Sequence, residues 1–281
     1  MTSNDVVNQA NGVIFSVMGV VLVAELCAGR LKTLFTKHDV LTTATCMLVG
    51  MSVMRPLAGL LIAHLFALLL PAYAGALSAI PLWSGIPLVL LTTEFCFYWV
   101  HRMAHNPKKH PFLYRLHRTH HSASFMNISV FWRVNVFWTF VTPHGWVLGL
   151  AIYLGMTQAA AVSILVIMFW NIFTHSDFRW DDWLRRRPRA ARVLRLIEHV
   201  VVTPGMHHTH HGYGRDGKSY RNFAVFFSFY DFLFGTIHHP QGRPAQYGLP
   251  GAEVGWLEQA LYPLVWRKTK AENDASTDAD S

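Results

Sequence analysis

The sequence predicts an all-α fold, a multi-pass transmembrane helical bundle of about 4-5 crossings. Three observations predict it. Only 14% of the 281 residues are charged, against roughly a quarter in a soluble domain. The apolar residues gather into runs, several of which reach the ~20 residues a helix needs to cross a bilayer. Histidines cluster near the ends of these runs and in the polar segments beyond them. There they recur at spacings of three and four, which puts their imidazoles on one face of a helix.

The first run, Val13 to Ala28, follows a polar start with no basic n-region and no clear cleavage site, so it reads as a retained membrane helix. A basic loop, GRLKTLFTKHD, leads into a long apolar stretch from Val40 to Leu70. Pro56 interrupts that stretch and predicts a kink. The next helix runs from Ile80 to His101 and ends in the first histidine pair. Two more apolar segments follow, Val134 to Leu154 and Ala159 to Phe173, joined by the tight hairpin GMTQ. Pro143, His144 and Gly145 make the first of these irregular.

Beyond His175 no run is long enough to span. RWDDWLRRRPRAARVLRLIEHVVV is basic and amphipathic and reads as a helix lying on the membrane surface. The last ten residues are acidic and polar, the composition of a disordered tail. The chain divides into N-terminal membrane helices (1–89), a histidine-bearing domain (90–240) and a C-terminal cytoplasmic segment (241–281).

The net charge of +8 has a simple reading. Lys and Arg concentrate in residues 30–38, 102–118 and 179–195, as expected for cytoplasmic loops facing anionic headgroups. No nucleic-acid motif is present. Placing all three basic stretches in the cytoplasm puts every histidine cluster there too. The expected location is an integral, multi-pass membrane protein, in the inner membrane if the cell is bacterial. Cys27, Cys46 and Cys96 are scattered through apolar stretches and read as reduced core residues.

The clusters are His101 and His105 in HRMAH, His117, His120 and His121 in HRTHH, and His207, His210 and His211 in HHTHH. Imidazole-rich, cysteine-free sites favour Fe, Zn, Cu or Ni. Acidic residues are too few and too badly placed for a Mg or Ca cage. Eight histidines exceed what one ion can use, so two ions are the economical reading. The histidine-rich helices thus form a cytoplasmic cap holding a dinuclear metal site. A ninth ligand is available in WNIFTHS, where Asn171 stands one turn before His175 to orient it or to bind metal through water. The isolated His38, His64, His144, His238 and His239 read as ordinary core or interfacial residues. His110, His199 and His208 lie nearer the clusters and read as supports behind the ligands.

Two function classes fit these facts. One is an oxidase-type enzyme in which two irons activate dioxygen. The other is a two-metal, zinc-type lipid hydrolase using a metal-bound hydroxide. A hydrolase usually has a bridging carboxylate, and none lies in the clusters. A transporter would place its polar groups near mid-span, not at helix ends.

The set HRMAH, HRTHHS, NIFTHS and TPGMHHTHHG resembles the sterol desaturase and fatty acid hydroxylase superfamily of membrane-bound, histidine-box di-iron oxygenases. Asn127 and Arg133 in NISVFWR, Glu198 before VVVTP, and Asn222 with YDFLFGT (Tyr230 to Thr236) extend the resemblance over about residues 90 to 240. It departs at Asn171, where many members carry histidine or glutamine, at Met206, and at His208, where a basic residue is frequent. The resemblance implies His101, His105, His117, His120, His121, His175, His207, His210 and His211 as metal ligands. Asn171, His208 and Glu198 would act behind them, and no catalytic residue beyond the ligands is implied.

The implied cofactors are two ferrous ions and O2, with zinc as a substitute metal. The implied reaction hydroxylates or desaturates an unactivated C–H bond of a membrane lipid: a fatty acyl chain, sterol, ether lipid or isoprenoid. Trp99, Phe131, Trp132 and Trp170 are candidates to line a lipid tunnel, but an aromatic belt at the membrane interface is the favoured reading of them. No haem, Fe–S or dinucleotide motif is present. The electrons are therefore expected from a separate donor, a ferredoxin-like protein or a b-type cytochrome with its reductase. The basic face from Arg185 to Arg195 suits either an acidic partner or an anionic membrane surface.

Overall fold

The computed structural model describes residues 3–30, 36–251 and 253–266. The acidic tail and residues 31–35 of the first basic loop lie outside the described residues. Helix α1 is Ser3–Cys27. Helices α2 (Lys37–Val49) and α3 (Arg55–Leu69) are joined by a π-helical turn, Gly50–Met54. Pro56 has no N–H to give to an i−4 carbonyl, and the widened turn just before it absorbs the mismatch. The 33 residues from Lys37 to Leu69 thus run on as one irregular span. The expected kink is a π-turn within a continuous path.

Helix α4 is Leu82–Ala104 and α5 is Pro111–His121. The short α6 (Trp138–Val141) and α7 (Pro143–Tyr153) precede α8 (Thr157–His175). Among the described residues, four helical segments are long and apolar enough to cross a membrane: Asn8–Cys27, Lys37–Leu69, Leu82–Ala104 and Thr157–His175. The segment 134–154 is not one of them. Pro143 starts α7, and Thr142 before it is extended (φ −71°, ψ 128°), as a residue preceding proline prefers. The segment still traverses the bundle. Gly75 N–H donates to Tyr153 O (3.0 Å) and Leu77 N–H to Leu154 O (2.8 Å). These bonds tie the α3–α4 loop to the α7–α8 turn at the end remote from the histidines. Gly155, at φ +96°, makes that turn while Ser78 crowds it too closely for a Cβ.

Helix α8 is the central post, in contact with α1, α4 and α7. The outward faces are apolar: Leu57, Leu60, Leu61, Leu68 and Leu69 of α3 are all exposed. A protein that turns leucine outward along whole helices is built for lipid, and this is an integral membrane protein.

The basic amphipathic stretch forms two helices, α9 (Trp180–Arg185) and α10 (Pro188–Ile197), broken at Pro188. Leu194 faces inward, while Val193, Leu196 and Ile197 face out. Helix α11 is Pro204–His211. Strand β1 (Gly212–Tyr213) pairs antiparallel with β2 (Gln246–Tyr247). Between them in sequence lies α12 (Phe229–Leu233), and α13 (Trp256–Leu261) closes the described fold against α2 and α5.

Candidate metal centre

Each cluster is delivered by a helix end whose sequence sets where it stops or starts. His101 lies in the last turn of α4, and His105 is its C-terminal cap residue. Pro111 opens α5, whose last turn carries His120 and His121, with His117 one turn before His121. His175 is the last residue of α8. Thr203 caps α11 by accepting from Met206 N–H, and Pro204 takes the first position, where no N–H is needed. That cap starts the helix so that His207, His210 and His211 all face inward.

The nine histidines come together in two adjoining groups. His101, His105, His117, His121 and His210 form one, and His120, His175, His207 and His211 the other; within each group one ring nitrogen per histidine lies within 4.8 Å of the rest. The His121 and His211 rings stack across the boundary at 4.2 Å between centroids. Eight of the nine are buried.

The hydrogen bonds fix which nitrogen is free. His101 Nδ1 is 2.5 Å from Phe223 O, and His210 Nδ1 is 2.8 Å from Arg221 O. A carbonyl only accepts, so both Nδ1 atoms carry the proton and both Nε2 atoms carry lone pairs. Those two Nε2 atoms face each other at 3.1 Å. In the second group His175 Nδ1 donates to Asn171 O at 2.8 Å. Its Nε2 lies 3.1 Å from both His120 Nε2 and His207 Nε2. Two neutral lone pairs pointed at one another repel, and a shared cation turns the repulsion into coordination. The donor set fits a pair of divalent transition metals.

Electrostatics agree. Burial pushes the imidazoles of His105, His117, His121, His207 and His211 well below their ordinary range, and neighbouring histidines add to the effect. Burial also lowers His120 to about 4 and His210 to about 3. At neutral pH these rings are uncharged, the form in which imidazole binds metal.

The remaining sequence candidates lie outside the two groups. Asn171 reaches His175 through its backbone carbonyl, and its side-chain Oδ1 is buried without a hydrogen bond. His208 points away, with Nδ1 on Tyr247 Oη (3.0 Å) and Nε2 on Ser176 O (3.1 Å). Glu198 touches none of the nine. It accepts from Thr203 Oγ1 (2.7 Å) and from Arg185, and so holds the cap of α11. Burial would raise its carboxyl, but hydrogen bonds from His239 and Arg185 hold it below its usual value.

Much of the support comes from residues with no metal-binding signature. Asp231 accepts from Phe223 N–H (2.8 Å), Ala224 N–H (2.9 Å) and Thr236 Oγ1 (2.7 Å). It therefore fixes the carbonyl that orients His101, and burial raises its own carboxyl to about 6. Asn222 sits at φ +56°, a conformation asparagine tolerates, and bonds Met206 O and both polar backbone atoms of His238. Behind α5, the fully buried Arg133 pairs with Asp39 (2.7 Å) and donates to Ser122 and Gln259. His38, Asp39 and Glu253 also cluster, but the Arg133 guanidinium already supplies the positive charge there.

An apolar bundle closing two all-histidine groups at one end defines a membrane protein with a candidate dinuclear centre. The chain belongs to the fatty acid hydroxylase family, whose model matches residues 86–236, just over half of its length. It is 27% identical over 169 residues to the very-long-chain aldehyde decarbonylase GL1-4 of Oryza sativa subsp. indica, covering 57% of this chain and 24% of that protein. It is 26% identical over 193 residues to the alkylglycerol monooxygenase of Danio rerio (64% of this chain, 37% of that protein). The Homo sapiens alkylglycerol monooxygenase is 26% identical over 164 residues (57% and 32%). The chain thus spans about a quarter to a third of the length of these relatives. No solved structure matches it.

Proposed function

We propose that this protein is a membrane-bound di-iron oxygenase that hydroxylates or desaturates an unactivated C–H bond of a lipid, using O2 and electrons from a separate donor. The observation that carries the proposal is the pair of all-imidazole groups, in which backbone carbonyls fix the tautomers of His101, His210 and His175. His101, His105, His117, His121 and His210 would hold one ion, and His120, His175, His207 and His211 the other. Two irons, when bound, supply the activation of dioxygen.

The chain's own contributions are positional. Phe223 O, Arg221 O and Asn171 O hold His101, His210 and His175 with Nε2 turned inward. Burial keeps water out and the rings neutral. The apolar bundle beneath offers a path for a lipid chain. The relatives' names, monooxygenase and aldehyde decarbonylase, support a lipid-modifying oxygenase over a hydrolase. The absence of a carboxylate from both histidine groups favours it too. The histidine end carries the basic stretches, which supports a cytoplasmic orientation. The outward Val193, Leu196 and Ile197 beside the arginines of α10 suit contact with an anionic membrane surface.

The test is metal analysis of the protein purified from iron-supplied cells, with profiling of membrane lipids for O2-dependent hydroxyl groups or double bonds. About two irons per chain and a new oxidised lipid are expected. His105→Ala and His211→Ala should each reduce the metal to about one, because they empty different groups. Two tightly held zincs with no oxidised product would overturn the proposal in favour of the hydrolase.

A further inference from the structure

Glu94 stands in the middle of α4, seven residues and so about two turns before His101. It is 1% exposed. Its Oε2 accepts from the N–H groups of Phe226 (2.7 Å) and Phe227 (3.3 Å). Its Oε1 is buried and takes no hydrogen bond. Facing it from α7 is His144, whose Nε2 is also buried without a hydrogen bond. The two atoms are 3.8 Å apart, beyond hydrogen-bond reach. His144 Nδ1 lies 3.2 Å from Thr142 Oγ1. The roles in that pair depend on the imidazole tautomer; in the tautomer whose Nδ1 accepts from the hydroxyl, Nε2 carries the proton and is a donor.

An unmet acceptor and an unmet donor therefore stand side by side inside an apolar bundle, where each is costly. They also lie directly beneath the histidine groups. The Phe97 ring is 4.5 Å from the His144 ring and 5.1 Å from the His101 ring. Trp138, one turn before Thr142, packs 4.9 Å from the His117 ring.

We propose that Glu94 and His144 form a recognition site for a lipid hydroxyl. A hydroxyl between them donates to Glu94 Oε1 and accepts from His144 Nε2–H, so both groups are satisfied at once. A bare hydrocarbon satisfies neither. The site selects lipids that carry a hydroxyl over bare hydrocarbons. On the oxygenase reading given above, on which this part rests, the hydroxyl anchors the lipid and sets which carbon lies against the metals.

The test uses the purified full-length protein in lipid nanodiscs and two probes, tritiated 1-hexadecanol and tritiated hexadecane. Protein-free nanodiscs supply the background. Wild type should bind the alcohol about tenfold more tightly than the alkane after background correction, the discrimination expected of one well-formed hydrogen-bond pair. Glu94→Gln and His144→Phe should lose most of that preference while keeping wild-type metal content. Equal binding of the two probes by wild type overturns the proposal without reference to any variant. So does a preference that survives in both variants. A protein that prefers the alcohol but oxidises no lipid would refute the oxygenase reading and leave this site standing.

Discussion

Metal uptake by this protein should release almost no protons, even in mildly acidic buffer. Seven of the nine histidines lie outside the membrane-spanning helices: His105, His117, His120, His121, His207, His210 and His211. A solvated imidazole with a pKa of about 6.5 is about three-quarters protonated at about pH 6, so seven of them would release about five protons on binding metal. Here burial lowers all seven. At about pH 6, His120, held at about 4, and His210, held at about 3, are each about 1% protonated or less. The other five lie well below their ordinary range for the same reason, so the release stays far short of five protons. The assay is calorimetric titration of the metal-free protein with zinc, which has no redox chemistry, in two buffers of different ionisation enthalpy. The difference in heat gives the protons released. A release near five would mean that the imidazoles are solvated before metal binds and that the packing argument is wrong.

Two further outcomes follow from the same contacts. The metal-free protein should lose stability as the pH drops from about 6.5 towards 3. The unfolded chain takes up protons first, because its histidines are unperturbed, while the folded histidines resist. His210 alone, lowered to about 3, contributes a loss of about 4 kcal/mol over that window. Asp231, raised to about 6, acts with the opposite sign, but it is one group against many. Thermal melts in detergent at about pH 7.5 and about pH 5 check this, and equal midpoints would refute it. The second outcome concerns Asp231→Ala, which strands the buried N–H groups of Phe223 and Ala224 at about 1–3 kcal/mol each, while Thr236 Oγ1 keeps Tyr98 Oη as a partner. It should lower the unfolding midpoint and loosen metal in the five-histidine group, through Phe223 and His101. Metal affinity unchanged from wild type would show that the carbonyl does not orient His101.

The sequence determined the class of this protein. Long apolar runs with few charges must lie in lipid, because no soluble core could bury them all. Histidines at spacings of three and four must share a helix face, because the α-helix repeats every 3.6 residues. Both are local rules, and the membrane-length helices and the shared helix face of the histidines within each of HRMAH, HRTHH and HHTHH follow from them. The break at Pro143 was legible for the same reason, since proline acts on its own neighbours.

Tertiary structure decided everything that depends on residues distant in sequence. It sorted the nine histidines into five and four, and split HRTHH so that His120 faces one group while His117 and His121 face the other. No spacing rule gives that division, because it depends on where α8 and α11 end relative to α5. The supports are equally non-local: Asp231 acts on His101 through Phe223, and Gln259 steadies α5 from beyond the family-matched region. Glu94 stands alone as an acid within an apolar run, and neither its role nor its partner could be read from sequence. His144 lies fifty residues away on another helix, and only the packing of α4 against α7 turns two isolated polar side chains into one site.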